Sequence, residues 1–138
     1  MDVDPDRIEK VTARIPLAWG RYLSCEKGWY QLIVDLDDAL AAIDPDYELH
    51  QCKQKFGGLR YYAEPSEGLD DEKRAQFRTL IDKAEEKSFT ICEDCGEPGT
   101  TSTVHHYVVT LCPEDLAKHN AVYEEWQRQR EKEETDLP

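Results

Sequence analysis

Residues 49–63 read LHQCKQKFGGLRYYA, and this stretch decides the fold. Up to Ile43 the apolar residues recur at helical spacing, and from Tyr47 the period shortens to two. Residues 47–55 and 59–63 read as two strands. Gly57-Gly58 between them supplies the positive φ values of a tight turn. Pro65 and Gly68 end the hairpin. A hairpin set among helices makes an α+β chain, with helices packed on a small sheet.

The same stretch is free of acid in an acidic protein. The chain has 138 residues, with 17 Lys and Arg against 30 Asp and Glu, a formal net charge of −13. Residues 49–63 carry Lys53, Lys55 and Arg60 and sum to +3, which leaves −16 on the remainder. Lys53, Lys55, Phe56, Arg60, Tyr61 and Tyr62 are therefore candidates for a binding face. It would take a phosphate, a nucleic-acid strand or an acidic peptide. The competing expectation is that these cations pair with helix carboxylates and the Tyr rings cover the core.

Outside the hairpin the pattern is helical. Ile8, Val11, Ile15 and Leu17 give a stripe over residues 5–23, opened by Asp4-Pro5 and divided at Pro16, with Trp19, Tyr22 and Leu23 continuing its apolar face. Trp29, Leu32, Ile33, Leu36, Leu40 and Ile43 give the strongest helix, over residues 28–43, with Asp35, Asp37 and Asp38 facing outward. Phe77, Leu80, Ile81 and Ala84 give another over 70–87. These elements form an α+β body over residues 1–88. A second module follows over 89–127, and the charged residues 128–138 read as a disordered tail.

That second module carries the sharpest local signal, Cys92-Glu-Asp-Cys95-Gly. Two thiolates three residues apart and followed by glycine form a metal knuckle. A third thiolate, Cys112, follows a strand over 104–111 and precedes Pro113 at a helix start. Knuckle, short β segment and a ligand at a helix N-terminus make a treble-clef-like zinc module. The fourth ligand is Asp115, three residues after Cys112, or His105 or His106 on the incoming strand, or His119 one turn beyond Asp115, or else water or no protein group. Three thiolates leave zinc a poor Lewis acid, so one structural Zn²⁺ is expected. Cys25 and Cys52 read as reduced, isolated thiols.

Gly28-Trp29-Tyr30 with Leu32-Ile33, the string Lys55-Phe56-Gly57-Gly58-Leu59-Arg60-Tyr61-Tyr62, Ile91-Cys92-Glu93-Asp94-Cys95-Gly96 and Thr110-Leu111-Cys112 occur in one order. In that order the chain resembles a family of small uncharacterised proteins of bacteria, prophages and phages, over roughly residues 25–118. In that family the second half of the metal site often reads Cys-x-x-His, and this chain carries Asp115 at the last position. The resemblance implies a phage or mobile-element setting, where small acidic proteins often bind host proteins.

The charge excludes non-specific nucleic-acid binding over the whole surface, because phosphates are repelled. No apolar run approaches the roughly 20 residues that span a membrane, and the acidic start MDVDPDRIEK is no signal peptide. A cytoplasmic location, the host cytoplasm for a phage protein, is expected. The expected function is a non-enzymatic, zinc-stabilised module that binds a protein partner. One alternative is an acidic decoy of a nucleic-acid-binding protein, with Asp35, Asp37, Asp38, Asp44 and Asp46 in its surface. Another is a metal-dependent nuclease of the His-Asn-His type. Against the nuclease, only five residues separate His106 from Cys112, too few for its ββα unit.

Overall fold

The computed structural model describes residues 2–136. Asp4 opens the first helix, α1 (Pro5–Thr12): its carboxylate accepts the Asp6 N–H at 2.9 Å, with Pro5 in the first position. The break at Pro16 is sharper than the sequence suggests. Pro16 is extended (φ −54°, ψ 138°), and only one 3₁₀ turn, Leu17–Trp19, follows it. Trp19 and Tyr22 therefore lie on the surface instead of continuing an apolar helix face.

A second 3₁₀ turn, Lys27–Trp29, leads into α2 (Tyr30–Ile43). Trp29, Ile33, Leu36 and Leu40 are buried along its inner stripe. Asp35 and Asp38 face solvent as expected, but Asp37, four residues after Ile33 and three before Leu40, lies on the inner stripe and is 1% exposed. It holds the Arg14 guanidinium (Nε to Oδ1, 2.7 Å) and accepts the Tyr47 hydroxyl. Tyr47 in turn meets the Tyr61 hydroxyl at 2.6 Å, and Arg14 lies 4.0 Å over the Tyr47 ring. A buried carboxylate persists only when paired and hydrogen-bonded, and here both conditions hold. Asp44 is buried too, accepting the Ser66 N–H and hydroxyl at 2.7 and 2.8 Å. Of the acidic surface proposed from sequence, Asp35, Asp38 and Asp46 remain exposed.

The hairpin forms as β1 (Glu48–Lys55) and β2 (Gly58–Glu64), antiparallel, with Lys53 opposite Arg60 and Gln51 opposite Tyr62. Its turn sits one residue earlier than expected. Phe56 (φ 54°) and Gly57 (φ 84°) make it, and Gly58 already pairs with Lys55. Gly58 is needed for packing: a Cβ there would lie 2.3 Å from the Phe89 ring. Leu49, Cys52, Leu59 and Tyr61 face inward onto α2 and onto α3 (Asp71–Ser88), which contributes Phe77, Ile81 and Ala84. Both sheet edges are covered. Ser88 and Glu85 side chains accept the Leu59 and Tyr61 N–H groups at 2.8 and 2.9 Å. Ser24 exchanges bonds with Cys52 and Gln54 along the other edge.

The C-terminal module contains one strand more than the sequence suggests. The polar stretch is itself β3 (Thr100–Val104), paired antiparallel with β4 (Tyr107–Leu111). His105 (φ 50°) and His106 (φ 76°) form the turn between them and are not on a strand. Then α4 (Pro113–Thr135) runs on through residues 128–135, where a disordered tail was expected. Its last turns carry pairs such as Arg128–Glu125 at 2.7 Å and Arg130–Glu134 at 3.8 Å. Residues 137 and 138 of that tail lie outside the described residues. Among the described residues, no helix is long and apolar enough to cross a membrane.

Candidate metal centre

The chain enters the knuckle from Ile91. The Gly96 N–H donates to the Cys92 carbonyl at 2.9 Å, and Gly96 takes φ 84°, which closes the turn and brings Cys95 beside Cys92. The third thiol reaches the same place from β4, at the start of α4. Cys112 is the N-cap of α4, and its sulfur accepts the Asp115 N–H at 3.4 Å. The Asp115 N–H, at the positive end of the helix dipole, draws this thiol down, but desolvation and its bonds to Asp115 and Cys92 outweigh that and raise it. Asp115, one turn into the helix, completes the set.

These four donors converge. Cys92, Cys95, Cys112 and Asp115 offer ligand atoms that all lie within 4.8 Å of one another, close enough to hold a metal ion. Asp115 Oδ2 is 3.2 Å from both the Cys92 and Cys112 sulfurs, and the Cys95 and Cys112 sulfurs are 3.8 Å apart. In a tetrahedral site with metal–sulfur bonds of about 2.3 Å, neighbouring sulfurs stand about 3.75 Å apart, which the Cys95–Cys112 pair matches.

Charge in the metal-free cluster is set by its mutual hydrogen bonds. The Glu97 backbone draws the Cys95 thiol down, but desolvation and its bonds to Asp115, Cys92 and Cys112 outweigh this and push it up to about 12. The Cys95, Cys112 and Cys92 thiols hold the Asp115 carboxyl below its usual range. Without a metal, the raised Cys95 and Cys112 thiols keep their protons beside the Asp115 carboxylate. A divalent cation would replace them. Lys118, 3.8 Å from Asp115 Oδ1, offsets part of the remaining negative charge.

The histidines named from sequence fall outside the set. His105 stacks on Tyr123 at the β3–β4 turn, and His106 is the exposed second residue of that turn. His119 Nε2 lies 2.7 Å from Asp94 Oδ2, so it ties α4 to the knuckle from outside the ligand ring.

Sequence reasoning missed what docks the knuckle on the body. The Gly28 N–H donates to the Glu93 carbonyl at 2.7 Å, and Trp29 Nε1 donates to the Ile91 carbonyl at 2.9 Å. Glu93 is buried and accepts the Glu26 N–H through Oε2 at 3.0 Å, and burial raises its carboxyl. On the far side, the Thr110 hydroxyl donates to the Gly57 carbonyl at 2.6 Å. The glycine before Trp29 and the glycines after Phe56 were the visible signals, since each marks a close backbone approach.

The basic–aromatic residues divide by the strand pleat. Lys53, Lys55, Arg60 and Tyr62 share the outer face of β1–β2, and Phe56 projects from the turn, 67% exposed. Tyr61 is the correction: its alternate position turns it inward, and it is fully buried. Among the described residues, Lys53, Lys55 and Arg60 form no ion pair, although pairing with helix carboxylates was the competing expectation.

Compared with family models, with curated proteins and with solved structures, the chain matches none.

Proposed function

We propose that this chain is a zinc-stabilised, non-enzymatic module that binds a protein partner. The observation that carries the reading is the closed donor set Cys92, Cys95, Cys112 and Asp115. Three soft thiolates and a carboxylate within reach of one ion suit Zn²⁺. Four protein donors leave no open position for water or substrate, which supports a structural role. The metal would stand in for core that the small C-terminal module lacks: its buried apolar cluster is Cys92, Leu111 and Cys112.

The protein partner is supported by a cleft of about 810 Å³ beside this site, between β3–β4 and α4. Tyr107, Val122 and Trp126 in its wall are 75%, 71% and 50% exposed, a run of apolar surface that a monomer gains little from displaying. The resemblance to phage and prophage proteins adds a host protein as the class of partner.

Elemental analysis of the purified protein tests the metal. One zinc per chain is expected, and a folded, metal-free protein overturns the reading. Affinity capture from bacterial lysate tests the partner. Capture should be lost in Tyr107→Ala with Trp126→Ala while zinc content stays unchanged, and capture that survives both changes removes the cleft from the reading.

A further inference from the structure

The outer face of β1–β2 bears a constellation that the protein-binding reading does not use. Lys53 and Arg60 stand opposite each other on it, with Lys55 two residues along and Tyr62 beside them. Trp19 and Tyr22, released from helix by Pro16, border the same face: with His50, Lys53 and Tyr62 they line an open depression of about 690 Å³. Four aromatic rings on or beside this face are exposed, Trp19 54%, Tyr22 64%, Phe56 67% and Tyr62 42%. Two of them already carry a cation, Lys53 over Tyr62 at 5.8 Å and Lys55 over Phe56 at 5.6 Å.

Each feature excludes an ordinary explanation. The cations do not serve the fold, because Lys53, Lys55 and Arg60 pair with no carboxylate among the described residues. The rings do not serve the core, which Tyr61 and Leu59 fill from the opposite face. Phe56 holds a left-handed conformation (φ 54°) that disfavours bulky residues, and it spends that strain on an exposed ring. Rings interleaved with free cations match a strand whose bases stack and whose phosphates carry charge. An acidic peptide would use the cations and leave the rings idle.

We propose that the outer face of β1–β2, with Trp19 and Tyr22, binds single-stranded nucleic acid. From Gln51 to Lys55 the strand rises about 13 Å, and the flanking rings lengthen the track to roughly 4 nucleotides. Glu48 and Glu64, paired at the far end of the hairpin, bound it with negative charge. The −16 on the rest of the chain repels phosphates everywhere else, which confines contact to this face. Duplex DNA, whose bases are already stacked, would find no platform.

Fluorescence anisotropy with labelled oligo(dT) of about eight nucleotides, from about 20 to 200 mM salt, tests this. Affinity should fall with salt at a logarithmic slope near −2, about −0.7 for each of three phosphate contacts. Lys53→Gln with Arg60→Gln should bring the slope to about −0.7, and Tyr62→Ala should weaken binding by roughly tenfold or more. Tyr62 is exposed and Lys53 and Arg60 are half-buried, and unchanged circular dichroism and metal content will confirm that the variants fold. Absence of binding at the lowest salt overturns the proposal, as does equal binding of duplex. Binding that is indifferent to both variants overturns it too. Displacement by polyglutamate at equal charge reassigns the face to an acidic protein segment.

Discussion

The Gly28 N–H donates to the Glu93 carbonyl at 2.7 Å, so the turn that precedes α2 grips the metal knuckle by its backbone. A side chain cannot be added there. A Cβ on residue 28 would lie 2.3 Å from the carbonyl oxygens of both Cys92 and Glu93, and neither is the free end of a flexible chain. Gly28→Ala must push knuckle and body apart. We expect a loss of about 2 kcal/mol or more in denaturant unfolding, at the upper end of overpacking costs. Metal affinity should fall as well, since Cys92 is one of the two residues displaced. Retention of both stability and affinity would mean the joint is softer than its geometry.

Metal uptake should release protons. The Cys95 thiol stands at about 12 without a metal and Cys112 is also raised, so both are protonated at neutral pH and must lose their protons to bind. Affinity therefore falls as pH falls, and titration of the metal-free protein with Zn²⁺ in weak buffer should acidify the solution by at least about two protons per metal. Asp115→Ala should weaken affinity by about 10- to 100-fold and Asp115→His should restore most of it, because imidazole supplies a fourth donor. Competition with a chromophoric chelator reads both.

How much of this was legible in the sequence depends on the kind of signal. Cys92, Cys95 and Cys112 were visible because ligand spacing is local. The hairpin was visible from its glycine turn and α2 from its sustained helical period, although a register shift between Leu49 and Gln51 puts Leu49 and Cys52, three residues apart, on the same inner face. Asp37 was misread because its charge was weighed above its position: it follows Ile33 by four residues and precedes Leu40 by three, on the inner stripe, and only the fold supplies the Arg14 and Tyr47 that satisfy it there. The strand over Thr100–Val104 was missed because its residues are polar and mostly exposed on both faces, so no alternation marks it. Asp115 was separable from His105, His106 and His119 only once the β3–β4 turn was placed. The outer-face cluster required Trp19 and Tyr22 to come over the hairpin, a tertiary fact.

The Arg14–Asp37 pair is the most consequential of those tertiary facts for stability. The Asp37 side chain is 2% exposed and that of Arg14 12%, so each charge depends on the other. Asp37→Asn leaves the guanidinium without its counter-charge, and Arg14→Met leaves the carboxylate. Either should cost about 3–5 kcal/mol in chemical denaturation. The double variant Arg14→Met with Asp37→Leu should recover more than half of that, because two apolar groups need no partner. Additive losses would show that Tyr47, not the ion pair, sustains the network.

Tyr47 makes the same network sensitive to alkali. Burial first, then its bond to Asp37, pushes its hydroxyl well above the ordinary tyrosine range. A group raised in the folded state stabilises fully below its unfolded value, near pH 10 for tyrosine, and loses that contribution as pH climbs toward the folded value. Stability should thus be flat in this respect through neutrality and fall above about pH 10, by at most 1.4 kcal/mol per unit for this residue. Urea unfolding of Tyr47→Phe between about pH 9.5 and 11 should show a shallower decline than the parent. Equal slopes would place the titration elsewhere.

Thr110 connects the metal module to the turn that presents Phe56 and Lys55. Its side chain is fully buried, its hydroxyl donates to the Gly57 carbonyl at 2.6 Å, and the Thr101 hydroxyl lies 2.8 Å away. Thr110→Val keeps the shape and removes the bond, which leaves the Gly57 carbonyl without this donor, while the exposed Thr101 hydroxyl still reaches the Phe89 carbonyl. That should cost about 1–3 kcal/mol, whereas Thr110→Ser, which keeps the hydroxyl, should cost less. The turn carries two consecutive left-handed residues, and Gly57 is packed against Val108 and Thr101, so loss of this bond frees a strained segment. Hydrogen exchange at residues 56–58 should then quicken in Thr110→Val and not in Thr110→Ser. If exchange is unchanged in both, packing against Val108 alone holds the turn.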